Sequence, residues 1–470
     1  MSQIKPYLSM ARVTLQLVSP LLIATGQSAD GFDANIIRDA NNLPMIPGTS
    51  LAGVLAHLAQ QFDPDLYGIF GDRENRSDLR VSAAVVHNSR NQVCEGLLFN
   101  AEEDSLLDFL IQDEPFSRDR VALNIRGVSV DKGKYDFIAV PAGVRFTFEL
   151  RLQTESNHFL GDNNLWDRLL KLLYSAQFRL GQKTRSGLGQ IMIQQCHVIS
   201  LDLMDSKAQK DFAKLSKLLG DSDDMVPYSP KQHNQEQHNQ EQKNLQQVES
   251  YELKVKAESG LRVGQGRHQF DSNRPDAQKV DALIWSEPRI EWPSQDQAVI
   301  KNHQVVIPAS GIKGAILHRT VFHYHRLKQN YIPDNPDGRV QEAGHMELPD
   351  ELQKLFGVVA KDKQETGLVG KLYIDDIVLD KHSVKTMICQ HNSIDRFTQG
   401  TRDSVLFAEE VLWQPEFSIY IRLEQCDSIP EKCKQALKCA LDDIVNGNLA
   451  IGAGSSKGHG FLIGERINAN

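Results

Sequence analysis

The sequence predicts an α+β protein made of two copies of one unit, and three observations carry that prediction. The same strand, turn, helix and loop signals recur in the same order in both halves. Within each copy, alternating apolar strands give way to amphipathic helices. A polar tract with almost no apolar residue separates the copies, and it contains an immediate repeat of Gln-His-Asn-Gln-Glu. Such a tract offers too little apolar surface to offset the entropy of ordering it. The expected organisation is a first domain over 1–220, a polar linker over 221–249 and a second domain over 250–470.

Each copy opens on a strand, with Val13, Leu15 and Leu17 on one face in the first and Leu253, Val255 and Ala257 in the second. A turn follows, Ser19 to Gly26 matching Ser259 to Gly266. The helix starts come next: Ile46-Pro-Gly-Thr-Ser-Leu-Ala-Gly53 is echoed by Ile307-Pro-Ala-Ser-Gly-Ile-Lys-Gly314. Proline, a hydroxyl N-cap and apolar residues at helical spacing predict helices there. Their buried stripes would be Leu51, Val54, Leu55 and Leu58, and Ile312, Ala315, Ile316 and Thr320. Beyond them stand Phe70-Gly71 and Phe356-Gly357. Each copy closes with an amphipathic helix (165–179 and 431–446), a glycine-rich loop and a short apolar strand.

Composition narrows the class. The 470 residues carry 52 basic and 61 acidic side chains, a net charge of −9, so any nucleic-acid surface must be local. No apolar stretch reaches the roughly 20 residues of a membrane span, and the first ten residues lack a secretory signal's apolar run. A soluble, unexported protein is expected. The six cysteines show neither CxxC spacing nor a matching histidine pair, so reduced thiols are expected rather than a disulfide framework or a tetrahedral zinc site.

The glycine loops read Gly181-Gln-Lys-Thr-Arg-Ser-Gly-Leu-Gly189 and Gly452-Ala-Gly-Ser-Ser-Lys-Gly-His-Gly460. Neither is a dinucleotide fingerprint, because a strand follows where a helix is needed, and neither has the spacing of a nucleotidase phosphate loop. Backbone N–H groups beside Lys183 and Arg185, or Lys457 and His459, suit a phosphodiester backbone. A tight helix-to-strand turn that uses glycine for positive φ is the other reading, and both stay open.

With Ile46 to Gly53, Thr184-Arg-Ser-Gly-Leu-Gly189 and His391-Asn-Ser-Ile-Asp-Arg-Phe-Thr-Gln-Gly-Thr401 in view, the chain resembles the RAMP superfamily. These are RRM-like RNA-binding proteins of CRISPR systems, and the likeness is greatest to backbone subunits of type III effector complexes. It covers nearly everything outside the linker and looks like two such domains in tandem, as in type III-D systems. The resemblance implies RRM or ferredoxin-like domains, each with an inserted β-hairpin thumb, near Arg120 to Asp136 and Ile388 to Asp403. It implies guide RNA, target RNA, other RAMP-type subunits and a large subunit as partners, in the cytoplasm of a bacterium or archaeon.

Some members of this family cut target RNA at each kink with a divalent metal, using an aspartate in the loop after the first strand. The resemblance puts Asp33 in that role, with Mg²⁺ or Mn²⁺ as the ion it contacts. In the second copy the interval from the turn glycine to the helix proline is 42 positions instead of 21, which leaves the register open; Asp281 is preferred for the role, with Asp296 as the alternative. Expected RNA contacts are Lys183, Arg185, Ser186, Gly187, Gly189, Ser50, Lys313, Lys457, Gly458, His459, Arg126 and Arg396. The alternatives are a non-catalytic RNA-binding scaffold and a metal-independent guide-processing nuclease, for which His57, His318, His323 and His325 are the candidates.

Overall fold

The computed structural model describes residues 5–26, 32–112, 116–124, 129–161, 163–230, 248–264, 280–329, 348–358, 367–380, 384–403 and 405–469. In the first half the elements are β1 (Tyr7–Leu17), α1 (Gly48–Phe62), β2 (Leu79–Val81), β3 (Val85–Val86) and α2 (Ser105–Ile111). They continue with β4 (Ser117–Leu123), β5 (Ser129–Ile138), β6 (Arg145–Thr154), α3 (Leu165–Leu173), β7 (Ile191–Asp202), α4 (Ser206–Lys214) and β8 (Val226–Pro227). The second half begins with β9 (Val248–Ala257), β10 (Gly260–Leu261), β11 (Ser286–Ser294), β12 (Gln297–Ile307), α5 (Ala309–Lys328) and α6 (Asp350–Phe356). Short strands β13 (Gly357–Val358), β14 (Leu368–Val369), β15 (Leu372–Ile374) and β16 (Ile377–Leu379) follow. The chain ends through β17 (Thr386–His391), β18 (Phe407–Trp413), β19 (Glu416–Glu424), α7 (Glu431–Val445) and β20 (Leu462–Ala469).

The main sheets run β2-β6-β1-β7-β8 and β15-β19-β9-β20, with antiparallel neighbours throughout. In each, the first strand of the unit is central, between the third and the last. A helix follows the first strand and another follows the third, which is the ferredoxin-like βαββαβ order, present twice. The hairpins β4–β5 and β17–β18 are inserted between the second and third core strands. They span the two thumb segments expected from the sequence.

The helix stripes are where the spacing puts them. Leu51, Leu55 and Leu58 are buried on α1, and Ile312, Ile316 and Thr320 on α5, while Val54 and Ala315 sit partly buried against the same cores. The caps differ from expectation. Pro47 and Pro308 occupy the N-cap positions and make no side-chain cap bond, so the hydroxyl residues fall inside the first turn. On α5 a distant carboxylate takes over: Asp376 Oδ1 accepts the Ala309 N–H at 2.8 Å.

The two sheets treat their outer faces differently. β9 alternates, with Tyr251, Leu253, Val255 and Ala257 buried and Lys254 and Lys256 exposed. β1 is buried on both faces through Leu8 to Val13, because the segment after β7 folds back over it. Arg12 donates to the carbonyls of Ser216 and Asp221, Met225 packs with Leu8 and Met10, and Tyr228 Oη donates to Asp167 Oδ1 at 2.7 Å. Residues 221–230, expected in the linker, thus pack on the first domain.

Part of the second copy's longer first loop forms the β11–β12 hairpin, which docks on the first half. Trp292 packs against the first core, its Nε1–H donates to Gly143 O at 2.8 Å, and Arg145 lies 3.9 Å above its ring. Ile290 N–H donates to Ala142 O and Ala298 N–H to Ser89 O, each at 2.8 Å. Arg118, Glu287 and Asp376 form a buried ion cluster across the same junction. A protease site engineered within 231–247 should therefore yield two fragments that co-elute on size exclusion without denaturant. Separation into two species would show that this junction does not hold the halves together.

Candidate nucleic-acid interface

At the base of the first thumb, the loop after β1 is stitched to β5. Asp33 N–H donates to Asp136 O at 3.1 Å, and Asp136 N–H donates to Asp33 Oδ2 at 3.0 Å. Ala34 and Phe137 then bridge in parallel. This holds an exposed carboxylate at the foot of the hairpin, next to Tyr135, whose hydroxyl is pushed up by burial and by the Asp33 charge. Lys183 Nζ lies 4.2 Å from the Tyr135 ring centroid, and Arg120 stacks 5.4 Å over Phe137. Burial and the neighbouring Arg120 push the Lys183 ammonium down to about 8.

The second thumb repeats the stitch. Asp281 N–H donates to Ala408 O at 2.9 Å, Ala408 N–H donates to Asp281 Oδ2 at 2.7 Å, and Ala282 bridges Glu409 in parallel. Asp281 therefore occupies the place of Asp33. Asp296 lies in the exposed turn of the β11–β12 hairpin, docked on the first half beside Arg145. The aromatic recurs as Phe407, and Lys457 Nζ lies 4.7 Å from its ring.

Both glycine loops have one backbone shape: a left-handed residue (Lys183, Gly454), a single 3-10 turn, then a left-handed glycine (Gly187, Gly458). Their surroundings differ. The first loop is covered by the second half: a Cβ on Gly187 would run into Asp376 and Ala309, and Lys313 Nζ donates to the carbonyls of Arg185 and Leu372 at 3.1 and 2.9 Å. Arg185 stacks 4.8 Å over Tyr373 and donates to Gly370 O. Ser186 O receives Arg120, and Gly189 fits against the Leu180 carbonyl, where a Cβ has no room. So Arg185, Gly187 and Lys313, all expected at RNA, have protein neighbours at this junction, and Ser186 and Gly189, expected there too, have theirs within the first half. The second loop is open, with Ser455 to Gly458 exposed.

A family model for the RAMP superfamily matches residues 14–191 and 254–463. The chain belongs to the RAMP superfamily. The two matched stretches leave out the polar tract and each run from the central strand to the last strand of one ferredoxin-like unit, so this is a tandem RAMP protein. The superfamily makes it an RNA-binding, CRISPR-associated subunit that associates with CRISPR RNA and other Cas subunits. A comparison with curated proteins returned no match. Among the described residues no helix is long and apolar enough to cross a membrane.

The remaining expected residues of this RAMP protein are scattered. Ser50 is half-buried in the first turn of α1. Arg396 is exposed on the second thumb's loop beside Phe397, where Asp395 Oδ1 accepts the Phe397 and Thr398 N–H groups. Arg126 lies outside the described residues. His459 is buried rather than presented to a ligand strand. His57 is exposed, His318 and His325 are half-buried, and His323 is buried with Nε2 2.6 Å from Asp443 Oδ2. It joins α5 to α7. All six cysteines are free thiols.

Arg120, Tyr135 and Asp136 were not singled out from sequence as site residues. The signal available was slight: of Tyr135-Asp136-Phe137 and Phe407-Ala408-Glu409, only the first aromatic recurs. As for a divalent ion at Asp33, Oδ2 holds the Asp136 N–H and Oδ1 accepts no hydrogen bond among the described residues. Asp136 lies across that stitch, paired with Lys134 at 3.3 Å. One or two carboxylates, with water and phosphate oxygens completing the shell, is the donor set Mg²⁺ takes at phosphate sites, so these residues fit it.

Proposed function

We propose that this protein is a guide-RNA-binding backbone subunit of a type III, III-D-like, CRISPR effector complex that cuts the paired target RNA at a kinked nucleotide. The observation that supports this most is the exposed Asp33 carboxylate fixed at the foot of a thumb next to Tyr135, over whose ring Lys183 lies; the stitch and the lysine over an aromatic recur at Asp281, Phe407 and Lys457. RNA can be cut by its own 2′-hydroxyl when that oxygen, phosphorus and the leaving oxygen are in line. In this reading the thumb splays the strand, Lys183 and Arg120 neutralise phosphate, and Asp33 accepts a proton or holds a divalent ion. Such an ion, with Asp33 and Asp136 as its protein ligands, would offset charge on the phosphorane.

The covered first loop and open second loop describe a head-to-tail contact: the open one offers another RAMP-type subunit the surface that the second half already uses on the first. A scaffold reading is favoured by one specific contact, the Asp136 N–H on Asp33, which gives the carboxylate a purely structural task.

Lys183→Ala should weaken binding of unrelated guide sequences to a similar degree and reduce the slope of log affinity against log salt by about 1. Because Lys183 is held near 8, wild-type affinity should be full below that pH and fall as pH rises through it, and the variant should lose this dependence. An unchanged salt slope would remove Lys183 from the RNA path. Chelator should abolish target cutting in the assembled complex; cutting that survives it would refute the metal-dependent reading.

A further inference from the structure

We propose that the second half of the protein holds a transition-metal cation of the zinc class, with His391, Glu409 and His459 as its ligands. This goes beyond RNA cutting at Asp33 and does not depend on it. The three residues come from the end of β17, from β18 and from the glycine loop, and one donor atom of each lies within 4.8 Å of the other two. Nε2 of His391 is 2.6 Å, and Nε2 of His459 3.5 Å, from Glu409 Oε1.

His459 is the informative member. It is 7% exposed, and neither ring nitrogen has a hydrogen-bond partner among the described residues. Leaving such a group unsatisfied in the interior is costly, and a coordinate bond would recover that cost. The first half shows that the fold does not need it. By the parallel bridges Ala34–Phe137 and Ala282–Glu409, Glu409 replaces Phe137. By the matching bonds from Gly189 N–H to Pro20 O and Gly460 N–H to Gly260 O, His459 replaces Leu188. Phe137 and Leu188 are fully buried apolar residues. One copy thus exchanges an apolar pair for a carboxylate and an imidazole that meet, and the strand facing them adds a second imidazole.

Two imidazoles and a carboxylate suit Zn²⁺, Co²⁺ or Ni²⁺ and not Mg²⁺, with the fourth position left to water. Arg262 sits 3.2 Å from Glu409 Oε2 and leaves Oε1 available, but Lys457 Nζ lies 3.2 Å from that same Oε1. The Lys457 side chain is 35% exposed on the open loop, so it can swing out. Lysine and ion therefore compete for one oxygen.

The test is titration of the full-length, chelator-treated protein with Zn²⁺ by calorimetry and with Co²⁺ by visible absorption, with Mg²⁺ as a control. One site per chain is expected, unaffected by Mg²⁺. His459→Leu and Glu409→Phe, the residues the first half uses, should each lower affinity by about 10- to 100-fold or more while the thermal transition is kept. Should either fail to fold, His391→Gln at the partly exposed strand end provides the same reading. Lys457→Met should tighten binding. Zn²⁺ affinity unmoved by these ligand changes, or weakened by Lys457→Met, would overturn the proposal and leave Glu409 as the hub of a buried ion cluster.

Discussion

Arg118→Met is expected to cost about 3–5 kcal/mol of stability, the largest single-residue effect at the junction between the halves. Arg118 rises from β4 of the first thumb and is 2% exposed. Its Nε and Nη2 donate to the two oxygens of Glu287 at 2.7 and 2.8 Å, and Nη2 also reaches Asp376 Oδ2 at 2.7 Å. Trp285 Nε1–H adds a bond to Glu287, and Asp376 caps α5. Removing the guanidinium leaves two carboxylates facing each other out of water, which is why truncating one partner costs far more than the intact cluster contributes. Adding Glu287→Gln and Asp376→Asn to the variant should restore part of the loss.

The same residue predicts a pH signature. Burial pushes the Asp376 carboxyl up even with Arg118 present, and losing that cation raises it further. A carboxyl whose folded pKa is raised is relatively stabilising at low pH, and that advantage disappears as pH rises through the folded value. The deficit of Arg118→Met should accordingly be smaller in mildly acidic than in neutral buffer, read by urea unfolding. A loss below about 1 kcal/mol at neutral pH would place the cluster among pairs that contribute little.

How much of this was legible in the chain depends on the range over which each signal acts. Strand alternation at Val13, Leu15 and Leu17 and the stripe Leu51, Leu55 and Leu58 are local periodicities, and both lie where they were read. The duplication was visible because two units keep one order. The doubled interval before Pro308 was visible too, but its length alone could not show that it forms a hairpin which buries Trp292 in the other half. The glycine loops illustrate a second limit: one backbone shape occurs twice, yet Gly187 lies under a helix start and Gly458 in the open, a distinction made by tertiary packing. His391, Glu409 and His459 meet only through strand register and a returning loop, so no sequence window contains them together.

Asp33→Asn should abolish one target-RNA cut in the assembled complex, by on the order of 10²- to 10⁴-fold, with guide and target affinity little changed. The asparagine is the informative substitution because Asp33 has two tasks that alanine would remove together. Asn retains an oxygen able to accept the Asp136 N–H, now 3.0 Å from Asp33 Oδ2, and loses only the charge. Asp33→Ala also breaks the stitch between loop and thumb, worth about 0.5–1.5 kcal/mol, and should add a modest loss of thermal stability. Asp281→Asn should remove a second cut if both thumbs act, since it holds Ala408 N–H at 2.7 Å in the same way. Asp296→Asn, in the turn of a hairpin docked on the other half, should leave every product in place. Wild-type cutting by both Asp33→Asn and Asp281→Asn would assign these carboxylates to holding the thumbs, and with them the protein to the scaffold reading.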